Sequence, residues 1–142
     1  MPDRHEAAAW YERILGLEIL PEYQHWAADP GGPLMISSDD GSTKLALFEG
    51  QSQRSTPTTG FHRVAFRVTV NGFIEFLRRV ADLQLKNHRA RPVTADLVVD
   101  HEKAYSVYFS DPYGHRLEAT TYEYEATRAA LTQLQLNSRG DS

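Results

Sequence analysis

The stretch SVYFSDPYGHRLE, residues 106–118, decides the fold. Its centre, Asp-Pro-Tyr-Gly at 111–114, is typical of a tight turn, because Pro presets φ for one central position and Gly tolerates positive φ. The residues on either side favour extended chain. Side chains alternate along a strand, so Arg116, Glu118 and Thr120 share one face. The stretch therefore predicts a β-hairpin with Glu118 on its polar face.

The sequence before this hairpin predicts the rest of one supersecondary unit. Residues 62–69 alternate like a strand, and Asn71 is expected to cap the helix that follows. Two further extended segments are expected, at 94–99 and 105–109. The predicted order is thus β-helix-β-β-β, with one apolar stripe on the helix facing the core, made of Phe73, Phe76, Leu77 and Val80.

The first third of the chain repeats this order without the opening strand. Asp3 is expected to cap a helix, with Glu6 reaching back to it, and Gly16 to end it. Extended segments are expected at 17–28, 34–38 and 43–48. The helix carries the same stripe roughly 66 residues earlier, as an internal repeat requires, in Ala7, Trp10, Tyr11 and Ile14.

This repeat predicts one domain over 1–136, with module one at 1–50, a polar linker at 51–59, module two at 60–123 and a C-terminal helix at 125–136. Residues 137–142 are expected to be a disordered tail. By the repeat offset, the missing strand would lie upstream of Met1, and it leaves an open sheet edge. We expect a homodimer partner or the C-terminal segment to cover that edge.

The composition of the chain argues against several classes of partner and of chemistry. The 142 residues carry a net charge of −4, which argues against a nucleic-acid partner. The sequence contains no Cys, which excludes disulfides, thiolate metal ligands and a cysteine nucleophile. It has no apolar run of membrane-spanning length and no secretory signal at its start, so we expect no membrane partner and a cytoplasmic location. A small organic molecule or another protein is the expected partner.

Three stretches resemble one known family. AAWYERILGL at 8–17 resembles its first helix, RVAF at 63–66 resembles the strand that opens its second half, and the 106–118 hairpin resembles its DPDGxxxE motif. By this resemblance the chain is identified as a member of the vicinal oxygen chelate superfamily, which includes glyoxalases, bleomycin-resistance proteins and extradiol dioxygenases. The resemblance implies an α+β fold of tandem βαβββ modules that form a half-open cup of mixed sheet.

The resemblance also implies a metal site, which in this sequence is incomplete. Metal-dependent relatives hold a divalent ion, such as Fe, Mn, Zn or Ni, with two His and one Glu. Glu118 matches the carboxylate, as a ligand or as the partner of a cation. The His on the fifth strand aligns with Arg63, while His62 lies one residue earlier. The His on the first strand has no counterpart.

Alternation favours Arg63 over His62 at this position. His62 shares the apolar face of Val64, whereas Arg63 faces the cup. A guanidinium paired with Glu118 would then replace the metal ion, and no metal would be bound. The alternative is a one-residue bulge that turns His62 inward, so that Glu118 and His62 are the metal ligands.

Four other residues are candidates for the site. His25 and Trp26, on the predicted second strand, either line a pocket for a planar ligand or form a half-exposed pair. His101 and Tyr108 are candidate catalytic residues for acid, base or hydrogen-bonding roles. His5 and His88 are expected to be surface residues.

Three functions follow from these candidates. The first is a protein that binds a small organic molecule, with a degenerate metal site and Arg63, Tyr108, Trp26 and His25 as ligand-binding residues. The second is a metal-dependent enzyme, similar to an extradiol dioxygenase or a lyase, with Glu118 and His62 as ligands. The third is a dimerisation module without a reaction.

Overall fold

The structure is a computed structural model that describes residues 1–50 and 62–140, with side chains up to residue 135. The chain divides into two compact units, Met1–Thr59 and Gly60–Ser142, and each is described separately. None of the helices within the described residues is long and apolar enough to cross a membrane.

The first unit is one helix and a small antiparallel sheet. Helix α1 spans Arg4–Leu15 and is followed by strand β1, Glu18–Ile19. A 3₁₀ turn and the short helix α2, Gln24–Ala27, lead to β2, Leu34–Ser37, and β3, Leu45–Leu47. The strand order is β1-β2-β3, and residues 1–50 supply no fourth strand.

The predicted limits of α1 are confirmed. The Asp3 carboxylate accepts hydrogen bonds from the backbone N–H groups of His5 and Glu6, at 2.9 and 3.1 Å. These bonds satisfy two donors that the first turn leaves without helical partners. Gly16 ends the helix with φ at +72°, a conformation that favours glycine. The predicted stripe is buried at all four positions, Ala7, Trp10, Tyr11 and Ile14.

The second unit has a helix on one face of a four-stranded sheet. Its elements are β4, Arg63–Arg67; α3, Val70–Leu83; β5, Val99–Asp100; β6, Tyr105–Ser110; β7, Arg116–Thr121; and α4, Tyr124–Gly140. The strand order is β4-β7-β6-β5. Strand β4 pairs in parallel with β7, and the other pairs are antiparallel. The predicted α+β class and the βαβββ order of the second half are therefore confirmed.

The apolar face of this sheet packs on α3. Val107 and Phe109 of β6 are buried with Leu117 of β7, and the rings of Phe76 and Phe109 lie 5.4 Å apart. The α3 stripe is buried at Phe73, Phe76, Leu77 and Val80. Since apolar side chains occupy this face, the opposite face of β6 and β7 carries the polar residues of the hairpin.

Some predicted elements differ in the structure. The cap of α3 is Thr69, whose hydroxyl oxygen accepts from Gly72 N–H at 3.1 Å, so the prediction of Asn71 is wrong. Thr69 has the extended backbone that a capping residue needs, and Asn71 is already helical. Residues 94–99 contain a 3₁₀ turn at Ala95–Leu97 instead of a continuous strand.

Two further differences lie at a short helix and at the C-terminus. The 17–28 segment is extended only over Glu18–Ile19, because Pro21 begins a helical turn that continues into α2. Helix α4 continues to Gly140, past the predicted end at 136, since 137–139 contain no helix breaker. The predicted linker at 51–59 lies outside the described residues.

Candidate functional site

The polar face of the second sheet gathers the residues of the candidate site. In the register of β6 and β7, Tyr108 is opposite Glu118 and Ser106 is opposite Thr120. Across the parallel pair, Ala65 of β4 is opposite Glu118. Arg63 lies two residues before Ala65 on the same strand, so its side chain is on the same face of the sheet as that of Glu118. The predicted orientation of Glu118 towards the polar face is confirmed.

Glu118 is held by a hydroxyl and faces a cation. The Ser106 hydroxyl donates to Glu118 Oε1 at 2.6 Å and lies 3.1 Å from the Thr120 hydroxyl oxygen. Ser106 is completely buried, and 16% of the Glu118 side chain is exposed. The hydrogen bond and the low exposure fix the carboxylate, so its second oxygen has a defined direction.

Arg63 lies between a carboxylate and an aromatic ring. Its Nη1 is 3.8 Å from Glu118 Oε2, and its guanidinium carbon is 4.3 Å from the centroid of the Tyr108 ring. A guanidinium over a ring face is attracted by the π-electrons, and it stays charged at any physiological pH. The predicted pairing of Arg63 with Glu118 is present in the structure.

Tyr108 contacts a second candidate residue through its hydroxyl group. The hydroxyl oxygen lies 2.7 Å from His101 Nε2, and the two rings meet edge to face. Burial raises the pKa of Tyr108, and the negative charge of Glu118 raises it further. The phenol is therefore neutral near pH 7 and can donate or accept a hydrogen bond. The structure thus brings His101, Tyr108, Arg63 and Glu118 together.

Among the described residues of the second unit, the charged group that faces the Glu118 carboxylate is a guanidinium. A metal ion at that place would need further neutral or anionic donors. Strand β4 pairs residue for residue with β7 from Arg63 onwards, without an inserted residue, and His62 is exposed just before it. Within the described part of the chain, no three His, Cys, Asp or Glu side chains come together as ligands would.

A shallow depression lies beside the Arg63–Glu118 pair. Its accessible volume is about 10 Å³, which is about the size of one water molecule, and His88 belongs to its lining. Partial desolvation lowers the pKa of His88, and the positive charges of Arg116, Arg89 and Arg63 lower it further. His88 is exposed, as predicted for a surface residue, and its place in this lining was not predicted. Its position beside the hairpin depends on tertiary contacts that the local sequence does not reveal.

A family model described as the Glyoxalase/Bleomycin resistance protein/Dioxygenase superfamily matches residues 1–119. The chain belongs to this superfamily. No curated protein matches the chain.

Solved structures show the same superfamily fold. Oxidase ChaP-H2 is 23% identical, with a TM-score of 0.61, and the match covers 87% of this chain and 88% of that one. Oxidase ChaP-H1 is 28% identical, with a TM-score of 0.58 and coverages of 87% and 90%. A glyoxalase/dioxygenase from Nostoc punctiforme is 18% identical, with a TM-score of 0.60 and coverages of 86% and 85%.

The superfamily hairpin carries an Asp-His pair that the sequence analysis missed. Asp111 Oδ1 accepts from the N–H groups of Tyr113 and His115, and Asp111 Oδ2 lies 2.7 Å from His115 Nδ1. The hydrogen bond to Asp111 raises the pKa of His115. A His four residues after the Asp of a turn is the sequence signal for this pair. The pair fixes the hairpin turn and leaves much of the His115 ring exposed.

His25 and Trp26 lie in the first unit of this superfamily member. They belong to helix α2, so the prediction that they lie on a strand is wrong. Trp26 is 41% exposed, and its ring lies 4.6 Å from the Tyr23 ring and 5.6 Å from the His25 ring. Their predicted role in ligand binding stays a prediction.

Proposed function

We propose that this superfamily member binds a small organic molecule on the polar face of its second sheet. At this site the guanidinium of Arg63 would supply the positive charge that a metal ion supplies in metal-dependent relatives. The observation that carries the proposal is the position of the Arg63 guanidinium, between the Glu118 carboxylate and the Tyr108 ring.

The contacts of Arg63 favour this function over a metal centre. An ion pair with Glu118 balances the charge of the carboxylate, which then has less tendency to recruit a free cation. The guanidinium offers five N–H donors in a plane, and this geometry suits the oxygen atoms of a ligand. The site can therefore orient a polar ligand without a metal ion.

His101 and Tyr108 are the candidates for acid–base chemistry at this site. Their 2.7 Å contact places one proton between an imidazole and a phenol. With a raised pKa, Tyr108 keeps its proton at neutral pH, and it can donate that proton to a ligand when His101 Nε2 is the donor in the contact between them. A ligand oxygen beside the phenol would be polarised by that bond.

Metal analysis tests the part of the proposal in which Arg63 takes the place of a metal ion. The purified protein is loaded in turn with Fe²⁺, Mn²⁺, Zn²⁺ and Ni²⁺, desalted, and its metal content is measured beside that of Glu118→Ala. We expect neither protein to keep a stoichiometric ion. A stoichiometric ion that the wild type keeps and Glu118→Ala loses would contradict the proposal and favour the dioxygenase-like or lyase-like enzyme, with Glu118 and His62 as ligands.

An NMR titration tests the other part of the proposal, in which the polar face of the second sheet binds a small organic molecule. The probes are catechol, benzoate and benzamide, each titrated into ¹⁵N-labelled protein. We expect signals of Arg63 and Tyr108 to shift with at least one probe, and the Tyr108 shift to be lost in Arg63→Gln. Arg78→Gln is the matched control, since Arg78 is exposed on α3 and pairs only loosely with Glu75, at 3.6 Å. No shift with any probe would contradict the proposal.

The homodimer and the cytoplasmic location stay predictions. In the second unit, β4 is an edge strand among the described residues, and its Val64 is 44% exposed. Edge strands with exposed apolar side chains are surfaces on which chains associate. Sedimentation velocity measures the oligomeric state directly.

A further inference from the structure

The depression beside Arg63 differs in chemistry from the rest of the second sheet. Two of its lining residues, Arg63 and Arg116, are cations, and none of the described lining residues is a carboxylate. The remaining lining is one imidazole, one amide, one phenol and two apolar side chains, namely His88, Asn87, Tyr108, Phe109 and Leu117. A protein with a net charge of −4 thus carries a locally positive concave surface.

The loop that brings His88 to the depression is well fixed. Asn87 Oδ1 accepts from the N–H groups of Arg89 and Arg91, at 2.9 and 3.1 Å, and Asn87 N–H donates to Arg91 O at 2.9 Å. One residue earlier, Lys86 O accepts from Ser110 N–H at 2.8 Å, which ties the loop to the end of β6. The loop therefore needs little reorganisation to present His88 to a ligand.

The direction in which the pKa of His88 is shifted indicates a positive electrostatic potential in the depression. Its pKa is lowered by desolvation and by repulsion from Arg116, Arg89 and Arg63. Glu118, which faces the site from β7, is already paired with Arg63, and Tyr108 of β6 is neutral. A bound anion would offset the repulsion and make protonation of His88 easier.

The size of the depression limits what it can hold. Sites for whole drug-sized ligands have volumes of about 300 to 1,000 Å³, whereas the accessible volume of this depression is about 10 Å³. Phe109 and Leu117 form an apolar floor, each 2% exposed. The space suits one oxygen atom of a charged group, and the rest of the ligand would lie outside the depression.

We infer that Arg63, His88 and Arg116 form an oxyanion subsite, which binds the carboxylate or phosphate group of the small organic molecule. Guanidinium groups bind both oxyanions through paired, charge-assisted hydrogen bonds. The inference rests on the proposed function, because it names the charged group of the ligand proposed there. It assigns new roles to His88 and Arg116.

The test compares an anion with its neutral analogue of the same shape. Benzoate and benzamide are titrated into the ¹⁵N-labelled full chain, and inorganic phosphate is titrated separately. We expect benzoate to bind at least about tenfold more tightly than benzamide, since one charge-assisted hydrogen bond is worth about 1.5 kcal/mol or more. Phosphate is expected to shift the His88 and Arg116 signals and to compete with benzoate.

Arg116→Gln and Arg78→Gln form the matched pair of variants. Both remove one positive charge from the second unit, but only Arg116 lines the depression. We expect Arg116→Gln to weaken benzoate binding by about tenfold and to leave benzamide unchanged, and Arg78→Gln to change neither. The His88 pKa, followed by NMR, should rise on saturation with benzoate and should also rise in Arg116→Gln without ligand.

The outcomes separate this inference from the proposed function. If benzoate and benzamide bind equally and Arg116→Gln changes neither, the subsite is overturned while small-molecule binding stands. If neither benzoate nor phosphate shifts the His88 or Arg116 signals, the subsite is also overturned, and shifts of Arg63 and Tyr108 with catechol would still support the proposed function.

Discussion

The two units of the chain share one frame and differ in the chemistry of their sheets. In the second unit, the strand pair that follows the helix places Tyr108 opposite Glu118. The first unit places Met35 opposite Ala46 at the matching position. The helices agree closely, since the four buried stripe residues of α3 each lie 66 positions after those of α1. The repeated frame thus supplies the core, and the register position that holds Tyr108 and Glu118 in the second unit holds two apolar side chains in the first.

The largest expected effect comes from a core position at which the two helices carry side chains of different size. Ala7 of α1 matches Phe73 of α3, and both are completely buried. Phe73→Ala gives the second unit the small residue of the first and leaves a cavity, so we expect the free energy of unfolding to fall by about 3–5 kcal/mol. Urea denaturation measures this. Phe73→Leu is the control, with a loss less than half as large, and equal losses would contradict the cavity explanation.

The two units also differ at the first turn of their helices, where the first unit has Arg4. It matches Val70 of α3, but its buried guanidinium donates to the backbone carbonyls of Ala27, Asp29 and Gly32. These bonds hold the loop after α2, which the second unit lacks. Arg4→Met leaves the carbonyls without those donors, and we expect unfolding free energy to fall by about 2–3 kcal/mol.

Arg13→Met on the same helix is the control for Arg4→Met, because Arg13 is exposed. Its expected change in unfolding free energy is within about 0.5 kcal/mol. Equal losses in the two variants would show that the buried hydrogen bonds of Arg4 are not what stabilises the loop.

The Asp111–His115 pair gives the second unit a pH dependence that has no matching pair in the described hairpin of the first. The pKa of His115 is raised in the folded state by its hydrogen bond to Asp111. Its contribution is therefore complete below the unfolded pKa of His, about 6.5, and is lost as pH rises through the folded pKa. Since 58% of the His115 side chain is exposed, we expect an effect below about 1 kcal/mol.

Urea midpoints at pH 5.5 and pH 9, for wild type and His115→Gln, measure this effect. The difference between the two proteins should be larger at about pH 5.5 than at about pH 9. His5→Gln, an exposed residue of α1, is the control and should show no such trend. A difference that grows towards alkaline pH would have the wrong sign for this pair.

The smallest expected effect concerns the ionisation of Tyr108. Arg63 lowers its pKa, against the larger effects of burial and Glu118 that raise it. Arg63→Gln should therefore raise the Tyr108 pKa further, whereas Arg78→Gln should leave it unchanged. Ultraviolet difference titration follows the phenolate, and Tyr108→Phe identifies its signal. A fall in the pKa on removal of Arg63 would contradict the contact between them.

Many of the helices and turns are predictable because they depend on local sequence patterns. The stripes of α1 and α3, the cap at Asp3 and the turn at 111–114 each depend on residues close in sequence. The pairing of Arg63 with Glu118 is also predictable, because strand alternation and the family resemblance agree on which face each side chain takes. Thr69 was missed as a cap because Asn71, two residues later, has the same capping chemistry.

The rest depends on contacts between distant residues. The loop of His88 is tied to the site by a hydrogen bond from Ser110 N–H to Lys86 O, and no local sequence pattern encodes that contact. Helix α2 was missed because four residues are too few for a helical period to appear. The Asp111–His115 pair did have a local signal, but the turn was interpreted only as a turn.

The parallel pairing of β4 with β7 has a consequence for how the protein matures. A hairpin such as β6–β7 joins neighbouring segments, whereas β4 must close a loop that contains α3, β5 and β6 before it meets β7. Such closure is entropically costly and slow compared with hairpin formation. We therefore expect the part of the candidate site that contains Arg63 to assemble late, so that newly made chains would complete the proposed binding site only once the whole second unit has folded.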